Sequence, residues 1–192
     1  MQVKNLKGRH SALEVKDILY QAISGYQEQR ILSDIVHGES PTTISTIYDH
    51  CIPELDRFTG DRSEIHTSFA EGLIHYMLTT ALIPSQRKTM HQSVEMDIVV
   101  PDVKTLALSP QEAVIISFPK TSGLDAIRKD VYELKKIQPN LDNIWVVLYR
   151  QMPVDAKVYS LDTDYFTFAN IINDLIGFSS NKKQSKLKIF KI

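Results

Sequence analysis

Residues 94–100 (VEMDIVV) and residues 113–121 (AVIISFPKT) are the two apolar runs that decide the fold. Both runs are short and rich in β-branched residues, which is typical of strands. The first carries an acid, Asp97, in its middle, and the second ends in Lys120. An acid on one strand and a lysine at the end of the next lie close together if the two strands pair. The pattern therefore predicts a site at the point where these strands lie side by side.

The sequence after Lys120 returns to helical spacing and then to another strand. Residues 124–137 have apolar positions three and four apart, and residues 144–149 (IWVVLY) suit a strand that is buried on both faces. A strand, a crossover helix and a strand predict a parallel pair in a right-handed unit. We also expect a short edge strand over residues 158–161 and a closing helix over residues 165–178 that ends at Gly177.

The sequence before the strands is helical in pattern. Residues 11–36 have apolar residues at spacings of three and four, which predicts one long amphipathic helix with a break at Gly25. The capping residues Ser40 and Ser63 predict two further helices, over residues 40–55 and 63–82. We therefore expect an α/β protein with three parts: a helical region packed on the core (1–62), an α/β core (63–180) and a basic C-terminal tail (181–192).

Composition limits the kind of protein and its compartment. The 192 residues are 43% hydrophobic and 23% charged, with a formal net charge of -1, so the molecule lacks the overall positive charge that binds nucleic acid without local contacts. The single cysteine, Cys51, excludes an intramolecular disulfide. The first residues do not resemble a signal peptide, and no apolar run approaches the roughly 20 residues that span a bilayer. These features predict a cytoplasmic protein without a membrane partner.

These elements carry a family resemblance. A helix bearing Glu71, a strand with Asp97, a strand closing on Lys120, and then a helix and the strand IWVVLY resemble the core of the PD-(D/E)XK nuclease superfamily, which includes restriction endonucleases. The resemblance covers about residues 64–150 and implies a mixed sheet flanked by helices. It also implies hydrolysis of a phosphodiester with Mg²⁺ or Mn²⁺, because hard divalent ions neutralise the anion and activate water.

The resemblance assigns a role to each site residue. It implies that Asp97 and Glu71 are metal ligands and that Lys120 orients water or stabilises charge. It also implies a glutamate at position 118, where this chain has Phe118. Two alternatives follow, an inactive site on a scaffold kept for binding, or a carboxylate supplied from elsewhere. The candidates for such a carboxylate are Glu95, which shares the Asp97 face under strand alternation, Glu112 and Asp125.

Structural roles explain some of the same residues. Asp97 can be a solvent-facing residue of a half-buried strand, and Lys120 can be a solvated lysine after a strand. Glu71 falls among apolar residues on a helical wheel, so it needs a partner or a function, and the alternative is a glutamate favoured by the helix dipole. His75, one turn further on, can hydrogen-bond to Glu71. A structural histidine is the simpler interpretation of that residue.

Local positive charge supplies the candidate nucleic-acid contacts. Arg128 and Lys129 open the helix that follows Lys120, and five lysines, including Lys182 and Lys183, follow Ser179 with no acid among them. Such a tail gathers phosphates without reading sequence, and it can equally be a solvated terminus. The sequence thus predicts a nucleic-acid-associated protein, with DNA as the partner, that retains or has lost an endonuclease activity. The competing hypothesis is a non-catalytic assembly module, with the N-terminal helices as a homodimer surface.

Overall fold

The computed structural model describes the backbone of residues 7–188 and the side chains of residues 15–180. Within this part of the chain, seven α-helices and five strands follow one another. In chain order they are α1 (Lys7–Tyr26), α2 (Glu28–Val36), α3 (Ser40–Leu55), α4 (Arg62–Thr80), β1 (Gln86–His91), β2 (Val94–Val100), α5 (Val103–Leu108), β3 (Val114–Ser117), α6 (Leu124–Lys135), β4 (Ile144–Leu148), β5 (Lys157–Ser160) and α7 (Ile171–Lys188).

The five strands form one mixed sheet in the order β1-β2-β3-β4-β5. The first three strands are antiparallel, with Ile98 opposite Ile116 between β2 and β3. The last three strands are parallel, with Ile116 opposite Trp145 between β3 and β4. The parallel pair on either side of α6 confirms the crossover unit expected from the sequence, and β5 lies at the sheet edge as predicted.

Two apolar clusters cover the two faces of the sheet. The larger cluster joins the sheet to α1, α3, α4 and α7 and includes Ile98 and Val100 of β2. The smaller one joins the sheet to α5 and α6 and includes Met96 and Val99. Strict alternation would put Met96 with Ile98, so the alternation expected along β2 is interrupted between these residues, at Asp97. β2 pairs with β3 only over residues 98–100, and the β1–β2 hairpin projects beyond that point.

The N-terminal helices pack on the core, as the larger cluster shows. Val15, Leu19 and Ile23 of α1 are buried, and α1 contacts both α3 and α4. A Cβ atom placed on Gly72 would lie only 2.8 Å from Leu19 Cδ2, so the missing side chain at Gly72 lets α1 approach α4 closely. The apolar face that suggested a dimer surface is thus used within the chain.

Several expected boundaries were wrong. The long N-terminal helix breaks at Gln27, which has a φ of 74°, and not at Gly25. The helix caps are Glu39 and Asp61 rather than Ser40 and Ser63. The Asp61 side chain accepts a hydrogen bond from the Ser63 N–H. The Ser63 hydroxyl instead donates to the Thr121 carbonyl and so joins α4 to the segment after residue 117.

Two elements were missed, and one helix ends later than expected. The polar run of β1 has no apolar alternation that would mark a strand, and the connection from β2 to β3 contains α5 instead of a simple hairpin turn. The closing helix α7 starts at Ile171 and runs through Gly177 to Lys188, so residues 181–188 of the expected tail are helical. A glycine inside a helix costs only about 1 kcal/mol, which a packed helix tolerates. None of the helices within residues 7–188 has the length and apolarity that crossing a membrane requires.

The packing of α1 on α4 can be tested at Leu19. Leu19→Ala removes a buried side chain, so we expect the free energy of unfolding to fall by about 2–4 kcal/mol in urea denaturation. The control is Tyr20→Ala, because Tyr20 is 53% exposed and its loss should cost far less. Equal effects of the two substitutions would show that α1 is not anchored in the core.

Candidate functional site

Glu71 is a buried acid on α4 that faces the sheet. Its side chain is only 7% exposed. Three cations contact its carboxylate, at 3.0 Å for Arg87 Nη2, 2.8 Å for Lys88 Nζ and 2.8 Å for Lys120 Nζ. Burial alone would raise the pKa of Glu71, but the ammonium groups of Lys120 and Lys88 outweigh burial and lower the pKa to about 2. The group is therefore ionised at neutral pH.

Asp97 lies where β2 stops pairing with β3. Its Oδ2 atom accepts the Phe118 N–H at 2.7 Å, one step beyond the last paired residues of the β2–β3 ladder. Its Oδ1 atom lies 2.7 Å from Lys88 Nζ. The hydrogen bond from the Phe118 N–H to the Asp97 side chain thus replaces backbone pairing at the end of the ladder. It also fixes the start of the segment that leads to Lys120.

Lys120 is positioned by α4. The Thr67 hydroxyl donates to the Pro119 carbonyl and the Ser63 hydroxyl donates to the Thr121 carbonyl, both at 3.2 Å. Burial lowers the pKa of Lys120 more than the Glu71 carboxylate raises it. The proton of Lys120 is consequently held less firmly than that of an ordinary surface lysine.

Lys88 joins the two acids. It comes from β1 and contacts both Glu71 and Asp97, while Lys120 contacts the other carboxylate oxygen of Glu71. Burial would lower the pKa of Lys88, but the hydrogen bonds to Asp97 and Glu71 outweigh it and raise the pKa. Asp97 and Lys120 therefore belong to one ion-pair network, with Lys88 and Glu71 between them.

The cleft beside these residues has a volume of about 740 Å³ and lies between the β1–β2 hairpin, residues 117–121 and α6. Glu95 lines it and is exposed, whereas Glu112 and Asp125 are outside its lining. Asp130 and Glu133 of α6 also line it. Among the described residues, the cleft lining has four acids and two lysines: Glu95, Asp97, Asp130 and Glu133 against Lys88 and Lys120. The lining is therefore suited to positive ligands more than to free anions.

Asp130 is an acid of the cleft lining that the sequence did not indicate. Burial, together with the nearby charge of Asp97, raises the pKa of Asp130, and Lys129 opposes this. The helical spacing of α6 indicates which helix face Asp130 occupies, but not that this face lies near Asp97. Arg87 and Lys88 were not predicted as site residues, because they lie on β1, a strand that the sequence did not indicate.

The side chain of Phe118 is buried in the core, although the residue is also part of the cleft lining. The residue is 1% exposed and belongs to the larger apolar cluster, while its backbone N–H serves Asp97. Lys120 Nζ lies 5.8 Å from the centre of the Phe118 ring, so the ring provides an apolar surface next to the lysine. Position 118 therefore supplies packing where the family resemblance implies a ligand.

The arrangement does not fit a divalent ion as it stands. Mg²⁺ binds oxygen at about 2.0–2.1 Å, so an ion shared by Glu71 and Asp97 would overlap the space of the Lys88 ammonium. Among the described residues, no group of three or more His, Cys, Asp or Glu side chains is arranged to hold a metal ion. The carboxylates have the right chemistry, but a protein cation takes the position between them.

The other candidate residues lie away from this centre. Arg128 and Lys129 are exposed on α6, outside the cleft lining, and Arg128 Nη2 donates to the Pro153 carbonyl. Lys182 and Lys183 lie on the helical backbone of α7, and their side chains are outside the described residues. His75 does not bond to Glu71 through its Nδ1 atom, which is buried without a hydrogen-bond partner in the described structure.

Comparisons with known proteins add no relative. No protein-family model matches the chain, and neither a curated protein nor a solved structure shows significant similarity to it. The fold and site define a mixed α/β protein with a charged cleft at the end of a five-stranded sheet. Any more specific identity must come from the chemistry of that cleft.

The ion pairs of Glu71 predict a dependence of stability on pH. Lowering its pKa from the usual 4.5 to about 2 corresponds to about 3 kcal/mol of stability at neutral pH. Because the folded pKa is depressed, this contribution is complete above about pH 4.5 and is lost as the pH falls towards 2. We expect Glu71→Gln to be less stable than the wild type by about 2–3 kcal/mol at pH 7 in urea denaturation. The difference should shrink at pH 3; a constant difference would contradict the assignment.

The orientation of Phe118 predicts that restoring an acid there will not restore a site. Phe118→Glu places a carboxylate in the apolar cluster, so the free energy of unfolding should fall by about 3–5 kcal/mol. We expect no gain in Mn²⁺ affinity, measured by electron paramagnetic resonance of the free ion. Phe118→Leu is the matched control and should cost less. A stable Phe118→Glu protein that binds Mn²⁺ would show that position 118 can face the cleft.

Proposed function

We propose that this protein is nucleic-acid-associated, with a core derived from a metal-dependent PD-(D/E)XK nuclease and with hydrolysis reduced to a residual rate. The observation that carries the proposal is the ion-pair network in which Lys120 contacts Glu71 and Lys88 joins Glu71 to Asp97. Glu71, Asp97 and Lys120 come from a helix, a strand and the segment after the next strand, in the chain order that the family resemblance implies. Ionisable groups with perturbed pKa values beside a cleft are concentrated at functional sites, which supports the proposal.

The arrangement of elements supports the same ancestry. The helix with Glu71 is followed by antiparallel strands that carry Asp97 and lead to Lys120, and then by a crossover helix and a parallel strand. The three strands β2, β3 and β4 are neighbours in one sheet, which supports the proposal. Fold alone does not establish function, and the argument therefore rests on the site.

Two residues account for reduced hydrolysis. Phe118 contributes no oxygen, and the Lys88 ammonium lies between the two carboxylates that would hold an ion. The excess of acids also repels a phosphodiester unless a cation accompanies it. We therefore assign nucleic-acid affinity to positive charge outside the cleft, with Arg128, Lys129 and the α7 lysines as the candidates.

The proposal is tested by binding and cleavage assays on the same preparation. Fluorescence anisotropy with duplex DNA should give an affinity that falls steeply as salt rises, because phosphate contacts release counterions. With plasmid DNA and Mn²⁺, we expect slow nicking that Asp97→Ala and Lys120→Ala both abolish. Folding of each variant is checked by circular dichroism.

The outcomes separate the alternatives. Rapid metal-dependent cleavage that both variants lose would identify an active nuclease. It would contradict the proposal that hydrolysis is reduced to a residual rate. Nicking that persists in both variants would come from a contaminant and remove the support for hydrolysis. Absence of both salt-sensitive DNA binding and cleavage would overturn the proposal in favour of a non-catalytic assembly module on the same fold.

A further inference from the structure

Lys88 has an unusual backbone for a residue within a strand. Its φ is 45°, in the left-handed region that a residue with a side chain rarely adopts. On β1 it lies between Arg87, which pairs with Ile98, and Thr89, which pairs with Met96, and so faces Asp97 across the ladder. Conformations of this kind cost of order 1–3 kcal/mol and persist where surrounding contacts enforce them.

The contacts that enforce it are to two acids on different elements. Lys88 Nζ lies 2.8 Å from Glu71 Oε1 on α4 and 2.7 Å from Asp97 Oδ1 on β2. One of these acids is almost fully buried, while the Lys88 side chain is 58% exposed. A single ammonium thus bridges two carboxylates, which is the position that a bound cation takes between two acidic ligands.

Charge neutralisation of Glu71 does not require this third cation. Arg87 and Lys120 already contact its two oxygens at 3.0 and 2.8 Å. Asp97 differs, because its other partner is the neutral Phe118 N–H. Lys88 therefore neutralises the two acids as a pair, and its role is not explained by either acid alone.

We propose that Lys88 is the resident cation of this site, and that its ammonium and a divalent metal ion compete for the same two carboxylates. The inference deepens the proposed function and rests on the same cleft. The proposal explains why the Glu71 and Asp97 carboxylates, which are suitable metal ligands, leave no space for a divalent ion in this arrangement. Because the Lys88 side chain is largely exposed, it can leave the acids without opening the core.

The test is a titration of the full chain with Mn²⁺ alone, with the free ion measured by electron paramagnetic resonance. Lys88→Met keeps the length of the side chain and removes its charge. We expect this variant to bind one Mn²⁺ at least about tenfold more tightly than the wild type, because the competitor is gone and the acids remain. The gain should disappear in the double variant Lys88→Met/Asp97→Asn.

Lys104→Met is the charge-matched control. Lys104 is exposed on α5 and lies outside the cleft lining, so its loss changes the net charge of the protein but not the site. This control should bind Mn²⁺ as the wild type does. A comparable gain in Lys104→Met would show that net charge, and not release of the site, raises the affinity.

Three results would overturn the inference. They are equal Mn²⁺ affinity of the wild type and a folded Lys88→Met protein, a gain that survives Asp97→Asn, and failure of both Lys88→Met and Lys88→Ala to fold. The last would make Lys88 a structural necessity rather than a replaceable cation. The titration contains no nucleic acid, so a gain in Mn²⁺ affinity without any DNA binding would support the role of Lys88 while contradicting the proposed function.

Discussion

The buried carboxylate of Glu71 is the constraint on which the arrangement of the cleft depends. An ionised acid in an apolar setting is stable only when cations and hydrogen bonds replace its water. Arg87 and Lys88 of β1 and Lys120 after β3 provide this replacement. The acid thereby connects α4 to the sheet edge and to the segment beyond β3.

The end of the β2–β3 ladder is a second consequence of charge. Asp97 accepts the Phe118 N–H, so its side chain takes over where backbone pairing stops. Residues beyond this point are released from β3, and Met96 packs on the opposite face from Ile98. The cleft exists because the hairpin separates from β3 while α4 holds the Pro119 and Thr121 carbonyls.

The sequence predicted the parts of this structure that periodicity controls. Helical spacing located α6, and the apolar runs located β2, β3 and β4, because burial on one or both faces leaves a pattern, whereas α3 and α4 were located by capping residues. β1 left no such pattern, since its side chains are mostly polar and its place is fixed by pairing with β2. The placing of Glu71, Asp97 and Lys120 in one site was implied by the family resemblance. The bridging of two acids by Lys88 was not, because it depends on a positive φ that no local pattern indicates.

Phe118 and Lys88 both contact Asp97. With the Phe118 side chain in the core, the segment after β3 offers Asp97 a neutral backbone N–H and no positive charge. Lys88 supplies charge compensation from the other neighbouring strand, at 2.7 Å. A divalent ion would satisfy both Asp97 and Glu71, but it would need several waters to complete its coordination. One ammonium needs only the acids already present, and this difference in ligand demand favours the lysine in the present arrangement.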